Sequence, residues 1–248
     1  MAYKLWDSRA EMAVLKKAAA AASPKARRDA DTTRTRLLKV GIAEFSAKGY
    51  SGARIDAIAN RAKVNIRMIY HYFGGKENLY IEVLEQTLAR LRAEELKLDF
   101  SSVAALDGLM QLFDFIDGHF TAHPELMKLL SSENLNKARF MKKSTLIPVM
   151  ATPVINLLQR LLQRGEADRT VRSGIDPLHL YVTMVSLAYF HKSNAHTLSR
   201  IFETDLLQAH WQSDHLQQTR LMLQQFLSPS VRPGTSVTAA RHLNESTA

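Results

Sequence analysis

The chain has 248 residues, and 46% of them are hydrophobic, which is enough for one large or two modest domains with buried cores. It contains no cysteine, which excludes disulfides, thiolate metal sites and cysteine nucleophiles and fits a reducing cytoplasm. The net charge of +9 is uneven, because residues 1–76 carry +10 and residues 77–248 carry −1. The basic third is therefore either a solvated face or a surface that meets the phosphates of a nucleic acid.

Residues 1–30 are rich in alanine, lysine and arginine and predict a basic, flexible N-terminal arm. Ser23-Pro24 should end any helix within it. We expect a solvated extension that can become ordered on DNA. No leucine-rich apolar core follows its charges, so the arm does not fit a signal peptide. No segment reaches the ~18 apolar residues of a membrane helix, and we expect a cytoplasmic protein without a membrane partner.

A first helix is predicted from Asp31 or Thr32, either of which can cap it, to about Lys48, where Gly49 ends it. After residue 73, Gly74-Gly75 closes a later helix. A long helix then begins at Lys76 and runs to about Lys97, which joins the basic third to the rest of the chain.

Between them, residues 50–73 predict two short helices about a tight turn. The first is buried through apolar residues at helical spacing, namely Ile55, Ile58, Ala59 and Ala62. Asn65 can cap the second helix, which Ile69 and Phe73 bury. The side chains left pointing outward are Arg67, Met68, His71 and Tyr72. A helix-turn-helix needs this division, because its second helix enters the major groove of DNA.

The remainder of the chain is helical by periodicity, and no segment alternates convincingly at period two, so we predict an all-α protein. Pro148 and Pro153 lie in a stretch that Gly165 closes, and two prolines in one helix imply a kink or a break. Asp176 caps a strong helix that should extend to about Phe202.

The last helix is predicted over His215–Leu227, and residues 228–248 are expected to be a flexible tail. The Asp176 helix is apolar on two faces. One face is Leu178, Val182, Val185 and Tyr189, and the other is Tyr181, Met184, Ala188 and His191. One face in the core and the other against a partner subunit would explain this pattern, so we favour a homodimer over a central helix of a monomer.

Residues 33–50 (TRTRLLKVGIAEFSAKGY) and 69–79 (IYHYFGGKENL) extend the helix-turn-helix pattern in both directions. Together with it they make the chain resemble the TetR-type bacterial repressors over residues 33–79. Three departures stand out. Ala53-Arg54 occupies the place of a usual Thr or Ser, Lys63 that of a turn glycine, and Arg67-Met68 that of a small residue followed by Thr or Ser.

The predicted DNA interface combines the residues and this resemblance. Arg67 is the best base reader, because a guanidinium can grip a guanine edge, although it can instead bind a phosphate. Lys76 opens a helix whose N-terminus favours a phosphate, with a solvated lysine as the alternative. The resemblance places Tyr70 on a phosphate, and Arg54 can replace the missing hydroxyl contact. The other candidates are Asn65, Ile66, Met68, His71 and Tyr72.

The resemblance also implies a domain arrangement, with a three-helix DNA-binding domain at residues 31–76 and a larger effector-binding and dimerisation domain at residues 77–227. Dimers of this family form through the last two long helices, and a small ligand binds among the middle helices. The candidate lining residues are Met110, Phe113, Phe120, Met127, Met150, Tyr181, Met184, His191 and Asn194. A lining rich in methionine and aromatic rings suits an apolar or aromatic effector, with His191 and Asn194 as polar anchors.

Other chemistries are disfavoured. His119 and His123 are four residues apart with Asp114 and Asp117 near, so a metal site is conceivable. We favour a partly exposed helical pair and predict no metal. The sequence has no glycine-rich phosphate loop and no serine nucleophile elbow, so we predict no cofactor and no enzyme, and an enzyme built on this fold is a distant third hypothesis.

The leading hypothesis is a dimeric repressor that binds a palindromic operator and that a small-molecule effector releases. The alternative is a dimeric DNA-binding protein without an effector, which acts by recruiting a partner.

Overall fold

The computed structural model describes residues 24–229, with side chains from residue 31 onward. In that range the regular structure is all helical and no strand occurs, so the predicted all-α class is confirmed. In chain order the helices are α1 (Pro24–Gly52), α2 (Ile55–Arg61), α3 (Arg67–Phe73), α4 (Lys76–Glu95), α5 (Ala105–Ala122), α6 (Pro124–Leu135), a 3₁₀ turn (Met141–Lys143), α7 (Leu146–Ala167), α8 (Pro177–Ser193), α9 (Ala195–Phe202) and α10 (Ala209–Leu227).

The first helix begins earlier than predicted. It starts at Pro24 rather than at Asp31, because proline is well tolerated in a first turn, so α1 includes the last residues assigned to the arm. Gly49 interrupts α1 as predicted, with φ 65° and ψ 179°. The rest of the predicted arm, residues 1–23, and residues 230–248 of the predicted tail lie outside the described residues.

Three other helix boundaries differ from the predictions. Asn194, at φ −110° and ψ 10°, divides the segment predicted as one helix into α8 and α9. The last helix begins at Ala209 instead of His215. The helix α7 is continuous through Pro148 and Pro153, where a kink or a break was predicted, and it ends at Ala167, not at Gly165.

The two prolines of α7 lie at different positions in the helix. Pro148 lies in the first turn, where its missing N–H would have no helical partner. Pro153 leaves only the carbonyl of Val149 without its helical bond, and Val149 is 68% exposed, so water can reach that carbonyl.

Among residues 31–229, the buried apolar side chains form two clusters. The N-terminal core is built on α1 to α4 and contains Leu37, Leu38, Ile42, Phe45, Ala53, Ile58, Ala59, Ala62, Ile69, Phe73, Leu79, Tyr80, Val83, Leu84, Leu129 and Phe140. The C-terminal core is built mainly on α5, α7, α8 and α10, with Leu91 from α4. The helix α4 contributes to both cores, with Leu79, Tyr80, Val83 and Leu84 in the first and Leu91 in the second, and the domain boundary at residue 76 stays a prediction.

Phe140 connects the two parts of the chain. It lies before α7, yet its ring packs 4.1 Å from the ring of Tyr50 and 5.1 Å from the ring of Tyr80, measured between centroids. Glu133 of α6 fixes this segment, because its carboxylate accepts hydrogen bonds from the N–H groups of Phe140 and Met141, each at 3.1 Å. The N-terminal core is thus closed by residues from the second half of the protein.

Gly165 permits the close turn after α7, and this gives a stability prediction. A Cβ at Gly165 would lie 2.4 Å from Val171 Cγ2 and 3.0 Å from Ala105 Cβ. Gly165→Ala should therefore lower the free energy of unfolding by about 1–3 kcal/mol, measured by urea denaturation. Gly118→Ala is the matched control, since it lies in α5 with nothing within 4 Å, and it should gain about 0.5–1 kcal/mol.

In the double variant Gly165→Ala, Val171→Ala, the glycine substitution should cost less, because the clashing Cγ2 is gone. Equal stability of wild type and Gly165→Ala would contradict this account.

Candidate functional site

The pair α2 and α3 has the buried and exposed faces that the sequence predicts. Ile58, Ala59 and Ala62 are at most 1% exposed on the first helix, and Ile69 and Phe73 are at most 4% exposed on the second. Both helices thus rest on the N-terminal core, and the outer side of α3 is free to face a ligand as large as a DNA duplex.

The turn between these helices adopts the conformation that normally favours glycine. Lys63 has φ 55°, which fits its place at a position where the family usually has glycine. Asn65 caps α3 as predicted, because its Oδ1 accepts a hydrogen bond from the N–H of Arg67 at 2.9 Å. That bond occupies the Oδ1 atom of Asn65. A contact of Asn65 with DNA stays a prediction, and it would use the other atoms of the side-chain amide.

The exposed face of α3 carries three of the predicted DNA contacts. Arg67 and His71 are exposed, and Tyr70 is 55% exposed. Within residues 31–229, no acceptor is found for the Arg67 guanidinium, so its donors are available to a ligand. Ile66 is 37% exposed at the start of the helix, where it can reach a base edge.

Met68 and Tyr72 differ from the prediction that they point outward. Both are half-buried and pack against the N-terminal core, because they flank Ile69 and Phe73 on a helix of only seven residues. Their part in DNA contact stays a prediction, but the packing gives them a structural task as well.

Arg54 lies at the start of α2, which lacks a side-chain cap, as expected for a chain without the usual hydroxyl there. Its Nη2 is 2.7 Å from Asp56 Oδ2, and this hydrogen bond lowers the pKa of the Asp56 carboxyl. Arg54 is therefore exposed but already paired, which makes it a weaker phosphate ligand than a free guanidinium.

Lys76 is half-buried, and its Nζ lies 4.7 Å from the centroid of the Tyr50 ring. The aromatic ring holds the ammonium at the N-terminus of α4, beside the end of α3. A phosphate at this point would meet both the ammonium and the free N–H groups of the helix end.

Sequence reasoning missed the ion pairs that hold the helix-turn-helix together. Glu44 of α1 is 2% exposed and bonds Lys48 at 2.7 Å and Arg61 of α2 at 3.1 Å. The hydrogen bond from Lys48 lowers the pKa of the Glu44 carboxyl. The i, i+4 spacing to Lys48 was readable in the sequence, whereas the link to Arg61 depends on the packing of α1 against α2.

The predicted effector residues lie in several environments. Met110, Phe113, Phe120 and Met184 are buried in the C-terminal core, and Met127 and Tyr181 pack against it. Asn194 lies between α8 and α9, where its side chain donates a hydrogen bond to the carbonyl of Phe190 at 3.0 Å. Met150 is apart from the others, because it lines a groove of about 500 Å³ between α1, α4 and the start of α7. The pocket itself stays a prediction.

His191, the other predicted anchor, belongs to a buried polar network. Its Nδ1 donates to the carbonyl of Leu187 at 3.1 Å, and its Nε2 faces the ammonium of Lys192 at 3.1 Å. Lys192 in turn pairs with Asp117 of α5, and both side chains are about 10% exposed. Burial, then the Lys192 charge and His215, lower the pKa of His191 to about 4.

The acidic neighbours predicted for the His119–His123 pair are used elsewhere. Asp114 pairs with Arg220 of α10, and Asp117 pairs with Lys192. His119 is also 4% exposed, so the prediction of a partly exposed pair is wrong for this residue. The helix turns its imidazole inward, towards the end of α4.

The two faces of α8 are clearly different. Met184 and Ala188 are fully buried, which confirms the core face, and Tyr181 is half-buried beside them. On the opposite face Leu178 is 55% and Val182 is 54% exposed, while Val185 and Tyr189 are half-buried at its margin. The neighbouring α10 also exposes apolar side chains, namely Leu221, Met222 and Phe226.

Within residues 24–229, no helix is long and apolar enough to cross a bilayer.

Comparisons with known proteins bear on both halves of the chain. The family described as "Bacterial regulatory proteins, tetR family" matches residues 37–83, which cover the helix-turn-helix and the start of α4. The family described as "Tetracyclin repressor-like, C-terminal domain" matches residues 106–222.

Curated relatives include the HTH-type transcriptional repressor NicS of Pseudomonas putida, which is 36% identical over 187 residues, 75% of this chain and 88% of that protein. The HTH-type transcriptional regulator RutR of Escherichia coli K12 is 30% identical over 154 residues, 58% of this chain and 66% of that protein.

Solved structures show the same fold. The reduced form of E. coli NemR has a TM-score of 0.58 at 20% identity, covering 81% of this chain and 99% of that one. A TetR transcriptional regulator from Chloroflexus aurantiacus has a TM-score of 0.56 at 19% identity, covering 80% of this chain and 96% of that one.

The buried His191 should make stability depend on pH. Its usual pKa of 6.5 applies to the unfolded chain, and the folded pKa is about 4. Between these values the unfolded chain takes up a proton that the folded chain does not, so stability should be full above about pH 6.5 and fall as the pH drops towards 4. His191→Gln removes the titrating group and should lessen this fall by up to about 3 kcal/mol.

Urea unfolding at neutral pH and near pH 4.5 measures the difference. His196→Gln is the control, because His196 is exposed on α9 and its substitution should leave the pH dependence unchanged. If the free energy of unfolding depended on pH equally in wild type and His191→Gln, His191 would not be the group responsible.

Proposed function

The chain belongs to the tetR family of bacterial regulatory proteins, and from this premise we propose that it is a transcriptional repressor which a small-molecule effector releases from its operator. The observation that supports DNA binding best is α3, which buries Ile69 and Phe73 and leaves the guanidinium of Arg67 without a partner in the described part of the chain. The excess of positive charge in residues 1–76 adds attraction to phosphates. Operator DNA would place its action in the cytoplasm.

Regulators of this family act as dimers, and we propose that this chain pairs through α8 and α10. The exposed apolar side chains of both helices support the proposal, because a monomer would leave them in water. A two-fold dimer presents two copies of α3 to successive major grooves, which explains why a palindromic operator is expected.

Release by an effector needs a connection between the C-terminal core and α3. The Phe140 contacts supply one, because Tyr50 and Tyr80 that hold its ring belong to α1 and α4 of the N-terminal core. A ligand that favours a different position of α6 and Phe140 would shift α1 and α4, and the population competent for the operator would fall. The proposed effector is apolar or aromatic, since the predicted lining is rich in methionine and phenylalanine.

A regulator without an effector is the second candidate. The close packing of Phe113 and Met184, both 0% exposed, favours it, because these side chains already fill the space assigned to the ligand. Effector-dependent loss of operator binding, assayed with apolar and aromatic compounds by fluorescence anisotropy, distinguishes the two functions.

Sequence reading by Arg67 can be tested on an operator selected from random duplex DNA. Arg67→Ala should lose roughly 1–3 kcal/mol of binding free energy on that operator and relax the preference at one base pair per half-site. Lys76→Ala should weaken binding to all sequences alike and lower the slope of log Kd against log salt by about one. Arg169→Ala, an exposed arginine remote from α3, is the control. A uniform loss over random DNA would make Arg67 a phosphate ligand instead.

The dimer interface can be tested by placing a charge on each face of α8. Val182→Asp, on the exposed face, should give a folded monomer with weak operator affinity, because an unpaired charge cannot be buried between subunits. Met184→Asp should unfold the protein, because Met184 is 0% exposed. Leu135→Asp makes the same change at an apolar residue that is 86% exposed in α6, and it should stay dimeric. Sedimentation velocity measures the oligomeric state of each variant. If Val182→Asp remained a dimer, the interface would lie elsewhere.

A further inference from the structure

The turn between α5 and α6 brings two imidazoles next to a carboxylate at the end of α4. One nitrogen or oxygen from each of Glu94, His119 and His123 lies within 4.8 Å of the others. His119 Nδ1 is 3.0 Å from Glu94 Oε2, and the centroids of the two imidazole rings are 4.4 Å apart. The cluster lies outside both helix α3 and the polar network around His191.

We propose that Glu94, His119 and His123 form a binding site for one Zn²⁺ ion, with water in the fourth position. Two imidazoles and one carboxylate are a usual set of protein ligands for zinc with an open position. Ligand atoms of a tetrahedral zinc lie ~3.3 Å apart, as follows from metal–ligand distances of ~2.0–2.1 Å. Glu94 and His119 already have nearly this spacing, and the third donor has to approach by at most ~1.5 Å.

The exposure of the three side chains suits an ion that enters from solvent. The His119 side chain is 1% exposed, so the packing of α5 fixes it in place. The Glu94 side chain is 36% and that of His123 is 25% exposed, so these two ligands can adjust while the ion binds. His119 Nε2 has no hydrogen-bond partner in the described part of the chain, which leaves Glu94 as the polar group that engages this buried ring.

Two more charged groups border the site. Arg90 Nη1 is 3.4 Å from His123 Nδ1 and 3.5 Å from Glu125 Oε1, and His123 Nδ1 is 3.3 Å from the same Glu125 oxygen. The ion must displace the guanidinium from His123, and Glu125 can keep it nearby. Arg90 therefore competes with the metal for His123. If the histidines had only a structural role, the removal of Arg90 would not strengthen zinc binding.

The position of the site gives zinc a mechanical effect. The ion joins the last turn of α4 to the α5–α6 turn, and the first turns of α4 supply Leu79 and Tyr80 to the N-terminal core. Bound zinc should therefore stabilise the folded chain by mass action and fasten the helix that connects the two cores.

Titration of the chelator-treated full chain with zinc sulfate by calorimetry tests the site. Wild type should bind one ion per chain, and His123→Ala and Glu94→Gln should each weaken binding at least tenfold. Arg90→Ala should bind more tightly than wild type. His196→Ala, on the exposed surface of α9, is the matched histidine control and should bind as wild type does.

Thermal unfolding gives a second readout. Zinc should raise the Tm of wild type and Arg90→Ala but not that of His123→Ala. Circular dichroism checks that each variant is folded. His119 is buried, so His119→Ala can unfold the protein, and the variants at the partly exposed Glu94 and His123 therefore decide the result. Equal zinc affinity in wild type, His123→Ala and Glu94→Gln would overturn the proposal.

Discussion

The contact of Phe140 with Tyr50 and Tyr80 is the constraint on which the arrangement of this protein depends. The three N-terminal helices are too small to bury their apolar faces alone, and the core they share is completed by α4, Leu129 and Phe140. The helix-turn-helix therefore packs against the segment that contains α6 and the 3₁₀ turn. Glu133, which holds the backbone of that segment, is 1% exposed, and its Oε2 accepts hydrogen bonds from the two N–H groups.

The helix-turn-helix rests on this core through charges as well as apolar contacts. Glu44 forms ion pairs with Lys48 and Arg61, and the pair with Arg61 holds α2 against α1. The ammonium of Lys76 lies over the ring of Tyr50 beside the end of α3. Lys63 adopts a left-handed conformation that costs roughly 1–2 kcal/mol relative to glycine, and the Asn65 cap and buried Ile69 hold the turn against that cost. The result is a short rigid helix whose free groups face outward.

The second half of the chain combines tight apolar packing with buried charge. Asp117, His191 and Lys192 link α5 to α8 inside the protein, while the proposed zinc ligands link α5 to α4 nearby. One helix, α5, thus contributes to both polar clusters, and helix α8 carries a core face with Met184 and Ala188 opposite a partly exposed apolar face with Leu178 and Val182. Changes at α5 would reach α4 and α8 together, which is the coupling that an effector-controlled dimer needs.

The sequence by itself determined the helical class, the faces of α2 and α3, the Asn65 cap and the glycine turns at residues 49 and 74, because these features follow from local periodicity and backbone preference. It also indicated the two-faced helix α8. Tertiary structure alone decided that α1 begins at Pro24 and that Asn194 divides α8 from α9, since packing overrides weak local signals. It also turned Met68 and Tyr72 towards the core and brought Glu94 to His119, 25 positions away in the chain, where no spacing rule connects them. Contacts between distant segments depend on how helices pack, and periodicity carries no information about which helix will lie opposite another.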